Sequence, residues 1–369
     1  MKLLFVTRGI FPDRVGGAPR HSYFLIKHLA ELGCRIDVVH PSQSRHFREY
    51  ENVCEYTLPY GRTIFDFSRN VNNFIGERAY DVGYSDGLSS IRYLRGRKFP
   101  CVFNHHGFHM FQRQDFFKHI GESPKDALRE ILFWLPRRWA CRYACSNSDY
   151  VISLGGKITH LLRTGLGVPE DKILELPNGV DLTLIPKSQP SAREPNSFLF
   201  VGGLEFRKGL TFLTKALNVL NIELNCYIVG GGPLKARISN SNRNRNVRIL
   251  GRVSDERLFH LYNMVECFLL PSLQEGMPTV ILEAMASHLP IIATDVGAIS
   301  TMVRNENGFL IEARSTEAIV NAIERFVRLP EGRRRAMGAT SRRIVEREFA
   351  WPNIARDYYQ AFQQIAGGH

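Results

Sequence analysis

Short apolar runs that end in a glycine-bearing turn, each followed by a stretch with helical apolar spacing, recur along the whole chain. The first unit is Lys2–Thr7, a turn with Gly16 and Gly17, a helix carrying Tyr23, Leu25, Ile26, Leu29 and Leu32, and the strand Arg35–His40. This is the beginning of a β/α/β arrangement. The same rhythm restarts at Ser197–Val201, where Gly202 and Gly203 open a loop ending in Arg207-Lys208-Gly209. It continues through strands at Leu224–Val229, Val247–Leu250, Cys267–Leu270, Pro290–Thr294 and Gly308–Ile311, and then only helices follow. Two Rossmann-like α/β domains are the architecture this pattern predicts. In the first half, strands are expected near 81–85, 100–104, 149–153 and 172–176, whereas 41–80 reads as irregular with a weak strand signal at Val53–Thr57. The Pro- and Ser-rich stretch Lys187–Asn196 is the linker candidate, giving domains at 1–186 and 197–350.

A chain of 369 residues is too long for one ordinary core, which agrees with two domains. Its seven cysteines show no CxxC spacing and read as reduced thiols rather than a zinc site. The N-terminal apolar run is too short for a signal-peptide core, and no run reaches the ~20 apolar residues of a spanning helix. A cytoplasmic protein, or one peripheral to a membrane, is the expectation. The net charge of +12, with a pI of about 9.5, favours anionic partners and is spread over both halves.

The most informative stretch is Cys267–Ser287. A buried strand ends at Pro271-Ser272, Gln274–Met277 form a loop, and Pro278 suits the first turn of a helix with Val280, Ile281, Ala284 and Met285 on its apolar stripe. In an open α/β sheet this strand-to-helix crevice is where ligands bind. Glu275 and Glu283 flank the turn. If one helix carried both, they would stand about 12 Å apart, which suits two ends of an elongated polyhydroxylated ligand and not one shared bond. The alternative is one loop and one surface glutamate. Lys208 stands where a cation could neutralise a diphosphate, with glycines 202, 203, 230, 231, 232 and 297 offering close backbone approach. Gly16-Gly17, before a helix, could do the same for a phosphate. His105-His106-Gly107 follows the strand ending at Asn104. Neighbouring side chains of extended chain point oppositely, so a single histidine facing a cleft is the better reading than a metal pair. The segment Ser123–Cys145, broken by Pro136, mixes arginines with aromatics between 129 and 143 and could lie on an anionic membrane surface.

These pieces, in this order, resemble the retaining glycosyltransferases of family 4. The resemblance is carried by Gly16-Gly17, Asn104-His-His-Gly107, Leu176-Pro-Asn-Gly-Val-Asp181, Phe200–Leu204 with Arg207-Lys-Gly209, and Ile228–Pro233. It continues with Leu250-Gly251, Pro271-Ser272, Glu275-Gly276, Glu283–Ala286, Pro290–Gly297 and Asn307-Gly308, and covers nearly the whole chain, with little signal at 41–95. It implies the GT-B fold: two Rossmann-like domains with a cleft between them, the first binding the acceptor, the second the nucleotide-sugar, and a final helix near 351–369 returning to the first domain.

The resemblance also implies roles. Glu283 would bind the ribose hydroxyls and Glu275 those of the donor sugar. Lys208 would hold the diphosphate with Arg207, Gly203 and the backbone of Gly16 and Gly17. His106 would sit by the reacting bond. Backbone N–H groups of Gly276, Met277 and Pro278 would face the sugar, with Thr279 beside them. His106, Glu275 and Lys208 are thus the catalytic candidates. The donor would be a UDP- or GDP-sugar, used without metal or other cofactor. The acceptor would be a glycan or glycolipid of cell-surface polysaccharide synthesis. Two positions depart from the family pattern: Gly203 replaces a usual arginine, for which Arg207 could compensate, and His288 replaces a usual helix-ending glycine. A sugar-nucleotide epimerase of the same fold is the alternative reading. A nucleic-acid-binding protein, suggested by charge, has no recognised motif here.

Overall fold

The computed structural model describes residues 1–13, 16–42, 46–59, 64–88, 98–106, 136, 138–185 and 192–368. The chain divides into one unit of Met1–Asn178 with Trp351–His369 and a second of Gly179–Ala350.

The first unit is built on β1 (Lys2–Val6), β2 (Arg35–Ser42), β3 (Phe47–Tyr50), β4 (Val53–Pro59), β5 (Val82–Asp86), β6 (Cys101–Asn104), β7 (Tyr150–Ser153) and β8 (Ile173–Glu175). Their order across the sheet is β3-β4-β2-β1-β5-β6-β7-β8. Only β3 runs antiparallel, against β4. The inner strands β1, β5 and β6 are buried almost throughout, as parallel strands covered on both faces must be. Helix α1 (Gly17–Glu31) and the C-terminal helix Trp351–Gly367 pack on this sheet. Leu3, Phe5, Leu25, Leu29, Val38 and Tyr84 form one core with Trp351, Tyr358 and Phe362. Burying each large side chain contributes about 1.5–3 kcal/mol, which holds a segment distant in sequence onto this unit.

Residues 41–80 are more regular than the sequence predicts. They contain β3, the longer β4, and helix α2 (Ile64–Ile75). Strand β3, Phe-Arg-Glu-Tyr, is exposed on an edge and gives no apolar signal. Helix α2 is rich in asparagine and β-branched residues, which are poor helix formers. Phe67 and Val71, one helical turn apart and fully buried, hold it.

The predicted domain division is corrected. The first unit ends at Asn178, not 186, because Val180 donates its N–H to Phe349 O at 2.9 Å and so ties residues from Gly179 onward into the second unit. Residues 187–191 of the predicted linker lie outside the described residues, as do 123–135 and 137 of the basic aromatic segment; residues 138–147 are helical.

The second unit contains β9 (Ser197–Val201), β10 (Asn225–Val229), β11 (Val247–Gly251), β12 (Cys267–Leu270), β13 (Ile291–Thr294) and β14 (Gly308–Ile311). The order is β11-β10-β9-β12-β13-β14, with every pair parallel. Between β9 and β12 the direction of winding reverses, which creates the topological switch point. The relevant helices are α3 (Leu210–Val219), α4 (Asp255–Met264), α5 (Thr279–Ala286) and α6 (Glu331–Ile344). Helix α5 ends at Ser287 in a Schellman motif: His288 N–H donates to Met285 O at 3.1 Å and Leu289 N–H to Ala284 O at 3.0 Å. The motif forces His288 to a left-handed φ of 57°. This is the physical reason glycine suits that position.

Candidate functional site

The second unit places its polar groups on the two loops flanking the switch point. The loop after β9 carries Lys208, and the loop after β12 carries Glu275. Strands β9 and β12 are direct neighbours, with Phe198 opposite Cys267 and Leu199 opposite Phe268. Lys208 Nζ donates to Glu275 Oε1 at 2.5 Å, and their side chains are only 11% and 6% exposed. Ser272 Oγ donates to the same oxygen at 2.7 Å. The backbone locks the loops together. Leu273 N–H donates to Arg207 O at 2.7 Å. Gly209 adopts φ +71°, and a Cβ on it would lie 1.8 Å from Pro271 O. No side chain larger than hydrogen fits there.

Glu283 projects from α5, where Tyr262 Oη of α4 donates to its Oε2 at 3.1 Å. The carboxylate is thereby oriented while remaining half-buried. Thr279 is the first residue of α5, Pro278 is its N-cap, and no side chain caps it. Its first turn therefore leaves backbone N–H groups and the positive end of the helix dipole for an anion or a sugar oxygen. Two expectations are corrected here. Pro278 precedes the helix in extended conformation instead of opening its first turn. It also has no N–H, so N–H donation along this stretch falls to Gly276, Met277 and Thr279. Gly203, where the arginine is missing, faces Glu205: a Cβ there would lie 3.1 Å from Glu205 Oε1. Glu205 Oε2 in turn holds Arg207 Nε at 2.7 Å. The cation that could compensate is present but tethered, in a pair 39% and 45% exposed.

The first unit has its own switch point between β1 and β5. Gly16 is the N-cap of α1 and Gly17 its first residue, again with no side-chain cap. His106 follows β6. Its Nε2 lies 3.6 Å from Asp86 Oδ1 and 3.4 Å from Asn104 Nδ2. Asp86 is held through its other oxygen by Ser22 Oγ at 3.0 Å. Asn104 Nδ2 also donates to Tyr84 Oη at 2.7 Å, and Tyr84 Oη lies 3.3 Å from His21 Nε2. Burial first, and then the charge of His106, hold the His21 imidazole well below its ordinary pKa, against a hydrogen bond with Asn178. Burial pushes the Tyr84 phenol up, so it keeps its proton for His21. The His21 and His106 rings meet edge to face at 4.7 Å.

The residues predicted from sequence thus fall into two groups. Gly16, Gly17 and His106 belong to the first unit. Gly203, Arg207, Lys208, Glu275, Gly276, Met277, Pro278, Thr279 and Glu283 belong to the second. Sequence reasoning missed Ser272, Tyr262, Glu205, Ser22 and Asp86. Only Asp86, at the carboxyl end of a strand, carried a usable signal.

Two family models match this chain: "Glycosyltransferase Family 4" over residues 15–184 and "Glycosyl transferases group 1" over residues 182–343. Among curated relatives, the putative teichuronic acid biosynthesis glycosyltransferase TuaC of Bacillus subtilis is 30% identical over 166 residues, 45% of this chain and 37% of that protein. The Escherichia coli UDP-Gal:alpha-D-GlcNAc-diphosphoundecaprenol alpha-1,3-galactosyltransferase is 30% identical over 249 residues, 61% of this chain and 60% of that protein. The matched part of this chain thus spans between about a third and three fifths of these relatives. Among solved structures, a Thermosynechococcus elongatus sucrose-phosphate synthase superposes with a TM-score of 0.81 at 18% identity, covering 100% of both chains. Anabaena HepE in complex with UDP superposes with a TM-score of 0.72 at 16% identity, covering 99% of this chain and 100% of that one. These likenesses establish the GT-B fold. With the family models adjoining at residues 182–184 and running in the order of the two units, the chain belongs to the family 4 glycosyltransferases.

Proposed function

We propose that this glycosyltransferase moves a sugar from a nucleotide-diphosphate-sugar to an acceptor hydroxyl with retained anomeric configuration and without a metal ion. The observation that carries the reading is the buried Lys208–Glu275 pair at the switch point of the second unit. Lys208 supplies a compact positive charge for the diphosphate. Glu283, oriented by Tyr262, accepts from the ribose hydroxyls. Glu275 accepts from the donor sugar, and the uncapped start of α5 adds backbone donors.

A carboxylate already bonded to an ammonium and a seryl hydroxyl is a poor base. This favours the route in which the acceptor proton passes to an oxygen of the leaving diphosphate. The C1–O bond to phosphate breaks, the new C1–O bond forms on the same face, and nucleoside diphosphate and glycoside are released. His106, with Asp86 beside it, is the first unit's candidate to donate a hydrogen bond to a sugar oxygen.

The activities named for the relatives support a lipid-linked or polysaccharide acceptor. No described helix is long and apolar enough to cross a membrane. The indole of Trp139 is 62% exposed and stacks on Tyr143 at 5.5 Å, which suits contact with a membrane surface. Sedimentation with anionic liposomes checks this contact: salt-sensitive binding that Trp139→Ala weakens is expected, and absence of binding refutes it. A thermal-shift screen of nucleoside diphosphates and their sugars tests the donor reading. Stabilisation by one nucleotide and its sugar is expected, and no stabilisation by any of them refutes it.

A further inference from the structure

The guanidinium of Arg193, on the segment that leads into β9, spans the carboxyl ends of two helices. Its Nη1 donates to Tyr262 O at 2.9 Å and to Val265 O, where α4 ends. Its Nη2 donates to Ser287 O at 2.7 Å, where α5 ends. Carbonyls at these positions have no partner within their own helix. A cation placed there also meets the negative end of both helix dipoles.

Both helices lead from Arg193 to the same carboxylate. On α4, Tyr262 reaches across with its hydroxyl, which donates to Glu283 Oε2 at 3.1 Å. On α5, the Ser287 N–H and the Ser287 hydroxyl each donate to Glu283 O at 3.0 Å. Arg193, Tyr262, Glu283 and Ser287 therefore close a ring in which every neighbour is joined by a hydrogen bond. The ring holds Glu283 by its backbone from one side and by its carboxylate from the other. Without Arg193 the ring opens, and the two helices lose the group that joins their ends.

The choice of arginine fits that task. All three hydrogen bonds of Arg193 go to main-chain oxygens, and among the described residues it makes no ion pair. Burial draws its pKa down to about 10, against the charge of Glu266, so it remains a cation at neutral pH. Its planar fork fixes direction as well as distance, whereas a lysine ammonium is a point charge on a flexible stem. Capping one helix would need neither the fork nor the span.

We propose that Arg193 is a positioning residue for nucleotide binding: it fixes the ends of α4 and α5 and so aims the Glu283 carboxylate at the ribose hydroxyls. The inference rests on the function proposed above, in which Glu283 accepts from the ribose.

Calorimetric titration of UDP, GDP and their dideoxyribose counterparts, which lack both ribose hydroxyls, into the full chain tests it. The parent should bind one ribonucleotide, and its dideoxy counterpart about tenfold more weakly. Arg193→Met should weaken the ribonucleotide about fivefold and leave the dideoxy form unchanged, so that discrimination narrows. General loosening of the second unit would instead weaken both alike. Arg193→Lys keeps the stem and the charge without the fork, and should narrow discrimination about twofold. It decides the matter if the methionine variant does not fold. In a Glu283→Ala background neither change should weaken the ribonucleotide further. A parent that binds no nucleotide, or binds both forms equally, overturns the ribose reading and this inference with it. A discriminating parent whose folded Arg193 variants discriminate equally well, or lose both forms alike, overturns this inference alone.

Discussion

Lys208 Nζ and Glu275 Oε1 meet at 2.5 Å across the switch point of the second unit, each on the loop that leaves a neighbouring strand. The pair closes the loop after β9 onto the loop after β12 and places a cation and a carboxylate side by side at the edge where an α/β sheet binds its ligand.

Because both partners are buried, removing one should cost more than removing both. Lys208→Met leaves the buried Glu275 carboxylate without its ammonium partner and should destabilise the protein by about 3 kcal/mol. Lys208→Met combined with Glu275→Leu should cost clearly less than the sum of the single changes. Urea unfolding of the four members of this double-mutant cycle checks it, and additive losses would show that the pair is not coupled.

Tyr262 orients Glu283, the proposed ligand of the ribose. Tyr262→Phe keeps the buried ring and removes the hydroxyl 3.1 Å from Glu283 Oε2. Nucleotide affinity should fall about three- to tenfold, with thermal stability nearly unchanged. An affinity equal to the parent's in calorimetry would mean that Tyr262 does not orient this carboxylate.

His288 holds φ 57° at the end of α5, a conformation strained for a side chain with Cβ. His288→Gly should stabilise the second unit by about 1 kcal/mol, seen as a higher unfolding midpoint. A lower midpoint would show that the contacts of the imidazole outweigh the backbone strain.

His21 sets an acid limit for the first unit. Its folded pKa lies well below the ordinary 6.5, so above that value both folded and unfolded states are neutral and folding is not penalised. As pH falls below 6.5 the unfolded chain takes up a proton that the folded one refuses. Stability is then lost progressively until the folded pKa is passed. His21→Phe should flatten this part of the pH dependence of unfolding. An unchanged profile between pH 7 and 5 would assign the acid sensitivity to other groups.

The second unit was legible because its strands are short apolar runs, β9 to β12 each ending in or beside glycine or proline, and parallel strands covered by helices must look that way. Strands β9 and β14 agree with the sequence reading to the residue. Lys208 and Glu275 could be named because they stand on loops that leave strands, and Glu283 because it lies on the helix that follows. Tyr262 and Ser272 could not, since an oriented hydroxyl depends on two elements meeting in space. Within 41–80, α2 escaped because two buried side chains outweigh a poor helical composition, and β3 because an exposed edge strand has no apolar face to show. The Arg193 bridge escaped for a related reason: its partners come together only when the ends of α4 and α5 meet in space.

The central claim is that the second unit binds a nucleoside diphosphate through Lys208 and Glu283. Calorimetric titration of UDP and GDP into the parent, Lys208→Ala and Glu283→Ala tests it most directly. One nucleotide should bind the parent, and each variant should bind it at least tenfold more weakly. Parent-like binding by both variants would contradict the assignment.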